Sequence, residues 1–264
     1  MKSIWHPSIL AAAALLCVGA AKASVIDFEN LGDQSATAPW GFVNPDGTSW
    51  GGLMADGDYV IQGNYFINTQ DVTGGGGLVG QWSKGSDPSS CLDGACPSGN
   101  SSSFLSVFDD GLVHVGKLSG TSVLFSSAQV AFLKASGDVA GTTGMYMAVE
   151  ADRADGSYAV WAVPVTGTGS FVSLTATVAG GLAGGQFLGG TGSLLSGNVT
   201  DLFFYAYYCD PASGNCSAFK TNKGQFAIDN IALDVSAVPE PSEWLLMAAG
   251  LGAIGTIARR RRSV

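Results

Sequence analysis

The chain has 264 residues, 38 of them glycine, and a net charge of −9. Between residues 24 and 236 there are six Lys and Arg against 19 Asp and Glu, so this segment carries a net charge of −13. Such a surface repels nucleic acid, whose binding requires clusters of Lys and Arg. Composition therefore excludes nucleic acid as a partner and suits an extracellular protein.

An export signal opens the chain. The positive pair Met1-Lys2 precedes an apolar run, Ile9–Ala21, which leads into Ala-Lys-Ala. These are the three parts of a secretory signal peptide, with small residues at the positions that signal peptidase reads. We predict a signal helix within residues 1–23 and cleavage after Ala23. Lipidation at Cys17 is the alternative, but a leucine precedes this cysteine where a small residue is needed.

Strand-like segments recur through residues 24–236, which form the predicted domain. They are rich in β-branched and aromatic residues and alternate with clusters of Gly, Ser, Asn and Asp. No segment of this region shows a convincing helical stripe of apolar residues. The sequence therefore predicts one all-β domain, an antiparallel β-sandwich. The predicted strands cover residues 24–28, 59–67, 104–108, 123–133, 145–151, 158–165, 171–178, 202–208 and 225–235.

Four cysteines remain after signal removal, and they form two local pairs. Cys91 and Cys96 bracket four residues, and Cys209 and Cys216 bracket six. In an oxidising compartment neighbouring cysteines are favoured partners, because short loops close at low entropic cost. Of the three connectivities we predict disulfides 91–96 and 209–216. Zinc is the alternative, but the spacings differ from those of zinc sites and only one histidine remains.

The two ends of the domain carry similar phrases. Residues 25–30 read Val-Ile-Asp-Phe-Glu-Asn, and residues 226–231 read Phe-Ala-Ile-Asp-Asn-Ile. This pair resembles the first and last strands of jelly-roll carbohydrate-binding modules. The resemblance implies that the terminal strands pair and that Glu29 and Asp229 hold a structural calcium ion. Asp27, two residues before Glu29 and hence on the same face of a strand, would add a third oxygen ligand.

In the alternative interpretation no metal binds at these acids. Asp229 and the following asparagine then form a turn or bulge, and Glu29 is solvated.

Few residues of the domain suit catalysis. His114, its one histidine, alternates with apolar residues and is interpreted as a strand residue that faces solvent. Asp109-Asp110 are adjacent, so on a strand they point to opposite faces. Glu150 and Asp152 share a face but stand at a hairpin turn, where we interpret them as exposed acids. We predict a non-enzymatic protein, with a carbohydrate-active enzyme that uses two carboxylates as an alternative.

Three tryptophans are candidates for ligand contact. Trp40, Trp50 and Trp82 lie in loop-like segments rich in Gly and Asp. An exposed indole has a flat apolar body and a polar edge, which suits stacking on a sugar ring. They are therefore the predicted contacts to a polysaccharide. In the alternative interpretation these rings cap the core beneath long loops.

The end of the chain, residues 237–264, has three parts in a fixed order. Val238-Pro239-Glu240-Pro241 is rigid and extended, because proline lacks a donor and disfavours helix in the preceding residue. An uncharged run, Trp244–Ala258, follows and is near the short limit for a helix that crosses a bilayer. Arg259-Arg260-Arg261-Arg262 then favours a cytoplasmic C-terminus.

This tail resembles the PEP-CTERM sorting signal of Gram-negative bacteria, a segment also labelled the ice-binding protein C-terminal domain. The resemblance implies a protein that is exported, held in the inner membrane and cut by an exosortase. It is then passed to the cell surface or to an extracellular polysaccharide matrix. An ordinary C-terminal membrane anchor is the alternative for the tail. For the whole protein we expect polysaccharide binding, or a purely structural role in the surface or biofilm matrix.

Overall fold

The computed structural model describes residues 24–29, 53–74, 78–84, 97–119, 122–133, 144–165, 169–194, 198–220 and 223–233. Several predictions lie outside these residues: the signal helix, the disulfide 91–96, Trp40, Trp50 and the C-terminal tail. Contacts divide the chain into Ser24–Asp234 and a second unit made of the two terminal segments. Within the described ranges, no helix has the length and apolar character needed to span a membrane.

All regular elements in this part of the chain are β-strands. Their bounds are β1 Ser24–Ile26, β2 Leu53–Ala55, β3 Tyr59–Gln62, β4 Tyr65–Gln70, β5 Leu78–Lys84, β6 Ser103–Val107, β7 Leu112–Lys117, β8 Phe125–Phe132, β9 Met145–Arg153, β10 Tyr158–Pro164, β11 Val172–Thr175, β12 Gln186–Gly190, β13 Val199–Cys209, β14 Cys216–Ser217 and β15 Phe226–Leu233.

The strands form two antiparallel sheets. The seven-stranded sheet has the order β11-β8-β15-β6-β5-β2, and β1 also pairs with β15. The eight-stranded sheet has the order β12-β10-β9-β13-β7-β4-β3, and β14 pairs with β13. This arrangement confirms the predicted all-β sandwich.

Alternation along the strands builds the core between the sheets. In β13 the buried positions include Leu202, Phe204 and Ala206, whereas the residues between them are partly exposed. The Phe204 ring meets the ring of Phe125 from β8 edge to face, with centroids 5.5 Å apart. Edge-to-face contact is a favoured geometry for aromatic pairs. These two rings therefore join the eight-stranded sheet to the seven-stranded sheet.

The terminal strands pair as predicted. Residues Ser24–Ile26 of β1 lie antiparallel to the second half of β15, with Ile26 opposite Ile231. The first half of β15 pairs with β6, with Ile228 opposite Leu105. The strand is irregular between these halves, where Asn230 has a φ of 49°. The bulge of the alternative interpretation is thus present, and it divides one edge of β15 between β6 and β1.

Four strands, β2, β5, β12 and β14, are absent from the predicted set, and two predicted strands end or divide differently in the structure. The single predicted strand 59–67 is a hairpin of β3 and β4, with a turn at Gly63 and Asn64. Gly63 has a φ of 61°, a backbone region that glycine adopts at little cost. The predicted strand 24–28 ends at Ile26, and Phe28 has a φ of 55°, far from the extended backbone of a regular strand.

Candidate functional site

One face of the eight-stranded sheet points away from the core between the sheets, and we call it the outer face. A row of cross-strand partners runs over it, with His114 opposite Phe203 and Phe203 opposite Glu150. In the next row Asp201 lies opposite Asp152. Strand pairing therefore brings three carboxylates, an imidazole and a phenyl ring together on one open surface.

His114 stands at the centre of this group. Its Nε2 lies 2.7 Å from Oδ1 of Asp201, and its ring stacks on Phe203 with centroids 4.6 Å apart. Phe66 meets the same ring edge to face at 4.9 Å. On the other side, Nδ1 of His114 lies 3.4 Å from Nε2 of Gln70. Ring and amide contacts thus hold the imidazole in place against the Asp201 carboxylate.

The two acids of β9 share a side of the outer face. Partial burial, together with the charge of Asp152, raises the pKa of Glu150. Partial burial and the charge of Asp201 likewise raise the pKa of Asp152. The Tyr205 hydroxyl donates to Oε2 of Glu150 over 3.3 Å, and burial raises the pKa of Tyr205, so that this hydroxyl keeps its proton. These acids therefore take up protons at a higher pH than ordinary exposed carboxyls.

The hairpin formed by β13 and β14 reaches the same face. The ring of Phe219, just after β14, lies 5.3 Å from the ring of Tyr205. Next to them Tyr146 and Tyr207 stack with an interplanar angle of 8°. The predicted disulfide Cys209–Cys216 is present and closes this hairpin. An aromatic region thus borders the acidic rows at the hairpin end of the outer face.

The outer face was not predicted from the sequence. The alternation of β9 already placed Glu150 and Asp152 on one side, but they were interpreted as turn acids. The structure places both within β9, opposite β13. The period-two spacing of Phe203, Tyr205 and Tyr207 was the available signal that an aromatic row faces the same way.

The predicted calcium ligands lie at the irregular part of β15. Asp229 is fully buried, and its carboxylate accepts hydrogen bonds from Asn100 Nδ2 at 3.0 Å and from Ser102 Oγ at 2.7 Å. Glu29 accepts from the backbone N–H of Ser103 at 2.7 Å. Burial is the main cause that raises the pKa of Asp229, and the charge of Glu29 adds to it. The two carboxylates thus lie near each other, where β1 ends and β6 begins.

The placement predicted for Asp27 is wrong. Because β1 ends at Ile26, the alternation of a strand no longer relates Asp27 to Glu29. Oδ1 of Asp27 accepts from Gln62 Nε2 and from the backbone N–H of Glu29, whereas Glu29 contacts the start of β6. Among residues that the structure describes, no three His, Cys, Asp or Glu side chains assemble as a metal-binding group.

The placement of Trp82 also differs from the prediction. It lies within β5, opposite Leu105 of β6, and its partly buried side chain packs against the main core. Its setting therefore agrees with the alternative in which the indole covers the core.

Residues Ser24–Asp234 form a β-sandwich domain, and the C-terminal segment Val235–Val264 belongs to a different unit of the chain. The family model described as the PEP-CTERM protein-sorting motif matches residues 237–262. The chain thus carries this sorting motif, which indicates an exported protein that is anchored in a membrane, processed by an exosortase and delivered to the surface. None of the curated proteins compared with the chain matches it. The resemblance of the domain to jelly-roll carbohydrate-binding modules stays a prediction.

Proposed function

We propose that this exported protein binds a polysaccharide at the cell surface or in the matrix, through the outer face and without catalysis. Until processing, the arginines of the tail stay on the cytoplasmic side of the inner membrane. The intact mass of the released protein tests the processing, because it reports the removal of both the signal and the tail. A released protein that retains the tail would contradict the processing step.

The observation that carries the binding proposal is the row of His114, Phe203 and Glu150 across three neighbouring strands. Carboxylates accept hydrogen bonds from sugar hydroxyls, and hydrogen bonds to charged groups are stronger than neutral ones. Partly exposed aromatic rings offer apolar faces to the C–H groups of a sugar. Because these groups follow a line over an open sheet, they suit an extended polymer.

Retention on the producer's own matrix polymer tests this proposal. We expect the double change Glu150→Gln and Phe203→Ala to weaken retention about tenfold or more, because it removes a charged acceptor and a ring. Asp155→Asn, at an exposed hairpin turn beside the sheet, is the matched control and should retain wild-type binding.

The pH dependence of polymer retention provides a second test of the outer face. Because the pKa of Glu150 and that of Asp152 are raised, both lose their charge at a higher pH than exposed acids do. Retention by the wild type should therefore weaken as the pH falls from 7 towards 4, before the polymer or the fold changes. Equal retention by the wild type and the double variant would reject the outer face as the binding surface.

A carbohydrate-active enzyme is the second candidate. The raised pKa of Glu150 beside Asp152 favours it, because glycoside hydrolysis uses one protonated and one ionised carboxyl group. Release of reducing ends from the bound polymer, abolished in Glu150→Gln, would establish catalysis. A purely structural matrix component would instead show no polymer retention in any variant.

Calcium at Glu29 and Asp229 also stays a prediction. The residues fit calcium, because this ion prefers oxygen ligands. The site offers two neighbouring carboxylates and the Ser102 hydroxyl, which can turn its oxygen towards a cation. We expect millimolar calcium, compared with a chelator, to raise the Tm of the wild type by about 5 °C. The Glu29→Gln variant should not respond, and magnesium serves as the control cation. An identical Tm in calcium and in chelator would contradict the site.

A further inference from the structure

We infer that a pocket beside the Cys209–Cys216 hairpin binds a single neutral sugar unit. The pocket has a volume of about 490 Å³ and is lined mainly by Tyr208, Asp210, Ser213, Asn215, Cys216 and Lys223. Pockets of this size hold small molecules. The inference rests on the proposed polysaccharide-binding function. It adds a second binding site, which holds one sugar unit, whereas the outer face binds a length of polymer.

The hairpin fixes one wall of the pocket. Cys216 lies opposite Cys209 in the strand pairing, and the disulfide joins the same two residues. Between them the backbone N–H of Asp210 donates to Asn215 O at 2.8 Å, and the N–H of Gly214 donates to Asp210 O at 2.8 Å. The side chains on this loop are thus held in place before a ligand arrives, which lowers the entropic cost of binding.

Lys223 provides the opposite wall. Its Nζ lies 4.4 Å from the centroid of the Tyr208 ring, within the range of a cation–π contact. The next residue, Gly224, donates its backbone N–H to the buried carboxylate of Asp110 at 2.6 Å. This bond fixes the backbone just before β15, and the cation–π contact holds the ammonium group over Tyr208, which also lines the pocket.

The charges of the pocket point to a neutral ligand. Asp210 accepts from the N–H of Ala212 and the hydroxyl of Ser213, each at 2.9 Å, and these bonds lower its pKa and keep it ionised. Lys223 offsets this charge. An ammonium donor, a carboxylate acceptor, an amide and an aromatic side chain therefore line one pocket. Sugar hydroxyls both donate and accept, so a neutral sugar can pair with both charged groups, whereas a singly charged ligand can pair favourably with only one of them.

Backbone chemical shifts of the full mature protein test this inference during titration with methyl glycosides. The probes are the methyl glycosides of glucose, galactose and mannose, with glucuronate as the charged comparison. We expect at least one neutral glycoside to shift the amide signals of Asn215 and Lys223. The change Lys223→Met, which keeps the aliphatic stem, should weaken this binding about tenfold, as should Asn215→Ala.

Lys220→Met is the matched control, because Lys220 is an exposed lysine three residues after Ser217, which lines the pocket, and does not line it itself. Reduction of the disulfide should also abolish the shifts. Absence of shifts with every neutral glycoside, or a response to glucuronate alone, would overturn the inference. The proposed function is tested separately, because loss of polymer retention in the outer-face variant does not depend on Lys223.

Discussion

Replacing Asp229 with alanine is expected to lower the free energy of unfolding by about 3 kcal/mol. The side chain is fully buried and accepts from Asn100 Nδ2, Ser102 Oγ and the backbone N–H of Asn230, the last at 2.6 Å. Alanine removes the acceptor that these three partly buried donors share. It also loosens the bulge at which the pairing of β15 changes from β6 to β1, so β1 should detach first. Urea denaturation measures the change.

The control for this substitution is Asp155→Ala, which removes an exposed turn acid and its hydrogen bond from the Ser157 N–H, and should cost about 1 kcal/mol or less. The pH dependence gives an independent check with Asp229→Asn, which cannot ionise. Because the folded-state pKa of Asp229 is raised, protonation stabilises the folded protein, and this contribution is lost as the pH rises through that pKa. The wild type should therefore gain stability relative to Asp229→Asn as the pH falls from 7 towards 4. Parallel pH profiles would contradict the burial of an ionisable carboxyl group.

The fold could be predicted because its signals are local. Alternating strands, the hairpin turn after Asp152 and closely spaced cysteines each depend on neighbours in sequence, and the structure agrees for β9, β10 and the disulfide 209–216. Two strand errors occurred where one residue adopts an unusual backbone. Phe28 lies just beyond β1, and Gly63 divides a predicted strand in two. Nothing in composition or apolar periodicity marks Phe28, whereas Gly63-Asn64 between two strand-like runs is a hairpin signal that the prediction of a single strand missed.

The candidate site could be predicted only in part, since it depends on which strands are neighbours. Period two relates Glu150 to Asp152 within β9, but only the register of β13 brings Asp201 opposite Asp152 and Phe203 opposite Glu150. His114 reaches the same group from β7. His114 lies 36 positions before Glu150, and Asp152 lies 49 positions before Asp201. Their assembly follows from non-local pairing, which a single sequence does not encode in any short motif.

Replacing Phe204 with alanine is expected to have the largest effect on the domain, a loss of about 4 kcal/mol of unfolding free energy. The ring is fully buried and meets Phe125 of the opposite sheet at 5.5 Å, so alanine leaves a cavity where the two sheets join. Side chains of β13 alternate between the core and the outer face. A loss of core packing should therefore loosen the outer face as well. We therefore expect the Phe204→Ala variant to lose polymer retention at a clearly lower temperature than the wild type.

Phe187→Ala is the matched control for this change, because Phe187 is 47% exposed on the edge strand β12. Its loss should cost about 1 kcal/mol or less, since solvent already covers much of the ring. Thermal and urea unfolding of both variants measure the difference. If the two substitutions cost the same, Phe204 does not join the sheets, and the outer face is then supported by contacts other than the core beneath it.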